Sequence, residues 1–184
     1  MPTIKGTKIT LRPFRADDVE AVLDSLVGDD ETNRLTGTHN SAFTREQIER
    51  YVANFAEDDS RVGWVIADSD SDNLEALGEV IILDIDTDNR SAWIRIAMYG
   101  MDKVNRGYGT EAMQLAVAHG FTELKLHRIA LEVYAFNPRA IRVYEKVGFQ
   151  REGILRDALF WDGEYVDAIS MAILEDDWRA LNQS

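Results

Sequence analysis

The sequence predicts an α/β (α+β) fold, a mixed and largely antiparallel central sheet flanked by helices. Three observations carry that expectation. Apolar runs at Val62–Ala67, Ala76–Ile85 and Ser91–Tyr99 follow one another with only short polar loops between them, the pattern of an antiparallel meander. Apolar stripes at helical spacing precede and follow that meander. A last pair of strands is separated by Asp162-Gly163, a dipeptide suited to the left-handed positions of a tight hairpin turn. A chain of 184 residues suffices for one domain with a substantial core, so residues 1–184 are read as a single domain with its core at about 7–174.

Taken in order, Thr7–Phe14 has strand character, with Ile9, Leu11 and Pro13 on one side. Asp17 and Glu20 stand at capping-box spacing beside the stripe Val19, Val22, Leu23, Leu26 and Val27. Gly28-Asp29-Asp30 ends that helix, and Asp29–Ala42 is polar, without period, and expected to be irregular. Thr44 and Gln47 make a second capping box leading into Ile48, Tyr51, Val52 and Phe55. The meander follows, joined by the acidic loop Asp68–Glu75 and the turn Thr87-Asp88-Asn89-Arg90; in its third strand Ile94, Ile96 and Met98 alternate with Trp93, Arg95 and Ala97. Lys103–Ala112 then opens a helix with its stripe at Met113, Ala116, Val117, Gly120, Phe121 and Leu124. Arg128–Phe136 reads as a strand. Asn137-Pro138 gives an N-cap and a first-turn proline for the helix Pro138–Val147, and Gly148 is a suitable terminator. Strands at Phe149–Trp161 and Glu164–Leu174 and a short helix at Glu175–Leu181 complete the chain.

Composition narrows the function. The net charge of −13 argues against a nucleic-acid partner. It is unevenly spread: between Lys103 and Arg151 eight bases face four glutamates, so that segment carries +4 and the remainder −17. A basic segment suits an anionic ligand, and an acidic remainder suits a cationic one. Without cysteine the chain has no disulfide, no cysteine nucleophile and no thiolate metal site. No run of 18 apolar residues, leader or lipidation signal is evident, so no membrane partner and a cytoplasmic location are expected.

The glycine turn carries the first chemistry. A Gly-rich turn opening a helix turns several backbone N–H groups outward at the positive end of the helix dipole, a geometry suited to phosphate. Gly107-Tyr108-Gly109-Thr110-Glu111-Ala112 also fits the dinucleotide fingerprint, with Glu132 about 20 residues on. That alternative needs the first glycine to leave a buried parallel strand directly, whereas here Gly100–Arg106 intervenes. Asp68, Asp70, Asp72 and Glu79 fall at positions of a calcium loop, but Asn73 replaces its glycine and the flanks read as strands. His39, His119 and His127 are scattered without ligand spacing. No metal is expected.

Three blocks in order, Arg106-Gly107-Tyr108-Gly109-Thr110-Glu111-Ala112, Leu126-His127-Arg128-Ile129 and Asn137-Pro138-Arg139-Ala140-Ile141-Arg142-Val143-Tyr144-Glu145-Lys146-Val147-Gly148-Phe149, resemble the GNAT superfamily of N-acetyltransferases. With Glu152-Gly153 and Phe160-Trp161-Asp162-Gly163-Glu164-Tyr165, the likeness runs from about Leu11 to Leu174 and is nearest the branch holding ribosomal-protein and spermidine N-acetyltransferases. Val104 stands where the family turn often has Gln or Arg, which removes one side-chain contact and leaves the backbone donors.

The resemblance implies acetyl transfer from acetyl-CoA to a primary amine by direct attack in a ternary complex, the acceptor being a polyamine or other small cationic amine. A protein N-terminal acceptor of the ribosomal-protein type, or a non-catalytic acetyl-CoA-binding regulatory module, are the alternatives. It places the pyrophosphate on Arg106, Gly107, Tyr108, Gly109 and Thr110, and the pantetheine arm along Ile96, Ala97 and Met98. Asn137 and Lys146 are carried over as further cofactor contacts, and Tyr144 as the group that protonates the departing thiolate. A thiol pKa of about 8.5 and a phenol pKa of about 10 are close enough for that transfer. Glu79 is the candidate base, with Asp84 and Glu132 behind it. A homodimer or larger homo-oligomer is expected from the exposed strand edges.

Overall fold

The computed structural model describes residues 1–28, 30–38, 43–53, 55 and 58–182. Eight strands form one sheet in the order β1-β2-β3-β4-β5-β6-β8-β7. The strands are β1 (Ile4–Lys5), β2 (Ile9–Arg12), β3 (Val62–Asp68), β4 (Ala76–Asp86), β5 (Ser91–Met98), β6 (Arg128–Tyr134), β7 (Gln150–Trp161) and β8 (Glu164–Leu174). All neighbours are antiparallel except β5 and β6, so the expected mixed and largely antiparallel sheet is present. The helices are α1 (Asp18–Gly28), α2 (Asp30–Thr36), α3 (Arg45–Ala53), α4 (Tyr108–Thr122), α5 (Pro138–Val147) and α6 (Glu175–Asn182).

The two sheet faces are covered differently. The α4 stripe (Met113, Ala116, Val117, Phe121) packs on Trp64, Val80, Ile82, Ile94 and Ile129, and Ile141, Tyr144 and Val147 of α5 extend that core. On the other face Val19 and Val22 of α1 meet Ile48 and Val52 of α3. Period-two alternation puts Glu79 of β4 on this second face, opposite Val80. Thr44 and Gln47 close the capping box: Thr44 N donates to Gln47 Oε1 at 2.8 Å and Gln47 N to Thr44 Oγ1 at 3.3 Å. Asp162 (φ 50°) and Gly163 (φ 86°) turn the β7–β8 hairpin as the dipeptide predicts.

Three expectations need correction. Part of Asp29–Ala42, expected to be irregular, is the helix α2; it lacks an apolar stripe and instead buries Asn33, whose Nδ2 donates to Leu26 O at 2.8 Å. Asp29 and residues 39–42, His39 among them, lie outside the described residues. The strand expected at Thr7–Phe14 covers only Ile9–Arg12, and an unexpected short strand, Ile4–Lys5, precedes it; Gly6 N donates to Ile9 O at 2.9 Å in the turn between them. At the start of α1 the acid that matters is Asp18: it takes both Arg12 guanidinium nitrogens at 2.8 and 2.7 Å and Arg15 N at 2.7 Å, in a pair that is almost wholly buried.

Candidate active site

The site arises where β5 and β6 part. Their parallel pairing covers only Ser91↔Arg128, Ala92↔Ile129 and Trp93↔Ala130. Beyond it β5 stays with β4 as far as Met98, while β6 stays with β8 as far as Tyr134. A wedge opens between two strands that each hold their other neighbour. Arg90 O accepts from His127 N and Arg128 N on the β6 side, and Tyr99 N donates to Leu77 O on the β4 side. Strand alternation from these two anchors turns the backbone groups of Ile94, Ile96 and Met98 into the wedge. Apart from Met98 O, which accepts from Gly100 N at 3.0 Å, these donors and acceptors form an open sheet edge inside the protein.

At the mouth of the wedge the backbone curls. A 3₁₀ turn at Met101–Lys103 leads to Asn105 (φ 62°) and Gly107 (φ 86°), both left-handed, and α4 starts at Tyr108. Glu111 N bonds Gly107 O as the first helical bond, and the Gly107 cap provides no side-chain partner. Among the described residues no hydrogen bond uses the N–H groups from Asn105 to Thr110. A run of unused donors at a positive helix end is an anion cradle, and a phosphate chain fits it. An added Cβ at Gly109 would lie 3.7 Å from Ile96 Cδ1 and 3.9 Å from Met98 Sδ, so the turn passes directly over the open strand.

A cleft of about 660 Å³ runs from this turn through the wedge to the α1–α3 face. Ten of the twelve residues singled out from sequence line it: Ile96, Ala97 and Met98; Gly107, Tyr108, Gly109 and Thr110; and Asn137, Tyr144 and Glu79. Arg106 and Lys146 do not; both are exposed, Arg106 at the rim of the turn and Lys146 on the outer side of α5. Asn137 caps α5, its Oδ1 accepting from Ala140 N at 3.1 Å, which leaves its amide group free to face the cleft. The Tyr144 hydroxyl makes no hydrogen bond among the described residues, and burial alone pushes the phenol up to about 12. The gap to a thiol is therefore wider than a free phenol implies.

Glu79 is 5% exposed and closely held. Its Oε1 accepts from Arg95 Nη1 at 2.9 Å and from the Tyr51 hydroxyl at 3.1 Å, and its Oε2 from the Tyr99 hydroxyl at 3.0 Å. Arg95 Nη2 also donates to Tyr51 Oη at 2.7 Å. Burial first, and the neighbouring carboxylate second, raise both phenols. Tyr51, Arg95 and Tyr99 all line the cleft, and sequence reading did not assign them: Tyr51 sits in an apolar stripe and passes for core, although a tyrosine there needs an outlet for its hydroxyl. Glu132 is the other carboxylate in the cleft lining. It is exposed, projects from β6, and has no hydrogen bond or ion pair among the described residues. Its charge adds to burial in raising the neighbouring Tyr134 phenol. Asp84, by contrast, is not part of the lining.

Among the described residues no three His, Asp or Glu side chains gather as metal ligands, and no helix is long and apolar enough to cross a membrane. His119 lies edge-on to Trp64 with ring centroids 4.9 Å apart, and burial lowers its pKa, as suits a packing role.

Comparison with known proteins agrees with this geometry. Residues 8–150 match the family model of the acetyltransferase (GNAT) domain. A probable N-acetyltransferase of Bacillus subtilis is 32% identical, covering 95% of this chain and 98% of that protein. A spermidine N(1)-acetyltransferase of Vibrio cholerae is 31% identical, covering 76% and 77%. Among solved structures, the spermidine N-acetyltransferase of Vibrio cholerae in complex with CoA and spermine superposes with a TM-score of 0.84 at 24% identity, over 95% of this chain and 99% of that one.

Proposed function

The chain belongs to the GNAT acetyltransferase family, and on that premise we propose that it acetylates a polyamine or other small cationic amine by direct attack in a ternary complex. As a member of the family it is an acetyl-CoA-dependent N-acetyltransferase. The single observation that carries the donor half is the wedge between β5 and β6, with the unused N–H run of Asn105–Thr110 at its mouth. The pyrophosphate rests on Gly107, Tyr108, Gly109 and Thr110, with Arg106 at the rim. The pantetheine arm runs along Ile96, Ala97 and Met98, pairing with the open-edge backbone of Ile96 and Met98, and passes Asn137 on its way to the thioester. Lys146, on the outer side of α5, is left to contact the nucleotide end. The whole chain, residues 1–184, acts as one acetyltransferase domain in the cytoplasm.

Chemistry then needs three things. The amine nitrogen attacks the thioester carbonyl, and an N–H of the open β5 edge receives the oxygen as it becomes negative. The C–S bond breaks, with the Tyr144 hydroxyl hydrogen-bonding the departing sulfur. The attacking amine must lose a proton, and here Glu79 changes role. Its oxygens already accept three donors, so we assign it to positioning Tyr51, Tyr99 and Arg95 on the acceptor wall, and the proton passes to water in the open cleft. With no cysteine in the chain, direct attack needs no acyl-cysteine intermediate.

For the acceptor, the support is Glu132, the unpaired carboxylate of the cleft, together with the spermidine acetyltransferases among the relatives. A thiol-release assay over a panel of amines tests it: spermidine and spermine should outperform neutral primary amines and N-terminal peptides. Equal rates across the panel, or turnover on N-terminal peptides only, would remove the polyamine assignment. We further propose that copies of the chain associate through β7, the terminal strand of the sheet, where Ile154 (66%), Leu155 (41%) and Phe160 (52%) are exposed.

A further inference from the structure

We propose that Lys8, at the end of the β1–β2 turn, is a phosphate-binding residue of the acetyl-CoA site. Its Nζ donates to Arg106 O at 3.1 Å, inside the turn that forms the cradle. A Cβ built on Gly107 would stand 3.5 Å from that nitrogen, so the ammonium lies alongside the left-handed glycine within the run of unused donors. One proton of the ammonium is used by Arg106 O; the other two are unspent, and Lys8 has no carboxylate partner among the described ion pairs.

The placement is constructed from both sides. Glu111, in the first turn of α4, accepts the backbone N–H of Thr7 and, through Oε2, that of Lys8 at 3.1 Å. This latch ties the N-terminal turn to the start of the helix. Gly6 makes the approach possible: a Cβ there would lie 2.5 Å from Glu111 Oε1 and 2.8 Å from Ile9 O. Lys103 is paired with Asp102 at 3.0 Å, Glu111 is occupied by the two backbone donors, and Arg106 is exposed at the rim. Among the described residues Lys8, like Arg106, has no carboxylate partner at a turn whose ligand carries several negative charges. Lysine binds phosphate as a compact point charge and needs no fixed fork geometry, which fits a side chain reaching in from a neighbouring element.

This rests on acetyl-CoA being the donor, and the test separates the two. Wild type, Lys8→Met and Lys8→Arg are compared by calorimetric binding of acetyl-CoA and by turnover with acetyl-CoA and with S-acetylpantetheine, which lacks every phosphate. Lys8→Met should weaken acetyl-CoA binding by about tenfold, the scale of one charge-assisted contact, with kcat and the amine KM unchanged and Lys8→Arg restoring most of the loss. With S-acetylpantetheine, wild type and Lys8→Met should be equal. Dephospho-acetyl-CoA then locates the contact: a penalty that persists lies on the pyrophosphate, and one that vanishes lies on the 3′-phosphate. Unchanged acetyl-CoA binding by Lys8→Met, or an equal loss with S-acetylpantetheine, would overturn the assignment. Failure of the wild type to bind acetyl-CoA would instead overturn the donor reading beneath it.

Discussion

Replacing Tyr144 by phenylalanine isolates one oxygen atom. The ring is 9% exposed, and the hydroxyl has no protein hydrogen bond to lose among the described residues. Removing it therefore leaves no stranded partner, and stability should change by less than about 1 kcal/mol, a Tm shift within roughly 4 °C for a chain of this size. The kinetic effect is set by what the hydroxyl can do. Burial holds it at about 12, against about 8.5 for a thiol, so complete proton transfer to the thiolate is uphill by roughly 5 kcal/mol. A hydrogen bond to the sulfur as it becomes negative is the larger contribution, and such bonds are worth about 1.5–3 kcal/mol. Tyr144→Phe should accordingly lower kcat by about 10- to 100-fold, below the upper range of general-acid catalysis, with acetyl-CoA affinity nearly constant. The neutral phenol is the working form and persists below about 12, so the rate should climb as the amine loses its proton, with no falling limb from Tyr144 until that range. Steady-state kinetics and thermal melts of both proteins, repeated with a thioester of a more acidic thiol, complete the assay. The variant should lose less with that better leaving group. An unchanged kcat, or an equal loss with both thioesters, would refute the reasoning.

Glu79→Gln keeps the shape of the side chain and removes its charge, so kcat/KM should fall by less than about tenfold while the pH profile keeps its form; loss of the pH-dependent limb would make Glu79 the base after all. Glu132→Gln should raise KM for spermidine by about two- to fivefold, the scale of one exposed ion pair, and leave neutral amines untouched, as an amine panel would show. Asp18→Ala strands the buried Arg12 guanidinium and should cost about 3–5 kcal/mol, read as a Tm lower by roughly 10 °C. Ile154→Lys with Phe160→Lys should shift the sedimentation coefficient toward a single chain if copies pair through β7, and an unchanged coefficient would place any association elsewhere.

Local signals were legible and long-range ones were not. The α4 stripe, the Thr44–Gln47 box, the Asn137 cap with its following proline, Gly148 at φ 115° and the Asp162-Gly163 turn all depend on residues within a few positions of one another. Short-range chemistry of this kind is written directly in sequence. The helix α2 left no such mark, because Leu35 is its one apolar residue and it is held by buried Asn33. In the site, the glycine turn and Tyr144 were readable from motif. The environment of Glu79 was not: its donors come from α3, from β5 and from the turn after β5, and neither their meeting nor its effect on the carboxylate has a local signature. The wedge is similar. That β5 and β6 pair for three residues and then part is a property of the whole sheet, although the proximity of the glycine turn to a splayed strand follows from it. Lys8 lies about a hundred residues before the turn it joins, and only the fold brings the two together.

The central claim is that one cleft holds acetyl-CoA and a cationic amine at once and passes the acetyl group directly between them. Initial rates of CoA release measured over a matrix of acetyl-CoA and spermidine concentrations test it most directly. Intersecting double-reciprocal lines, with acetylated spermidine formed in step with free CoA, are the predicted result. Parallel lines with an acetylated enzyme, or no CoA release although acetyl-CoA binds, would contradict it.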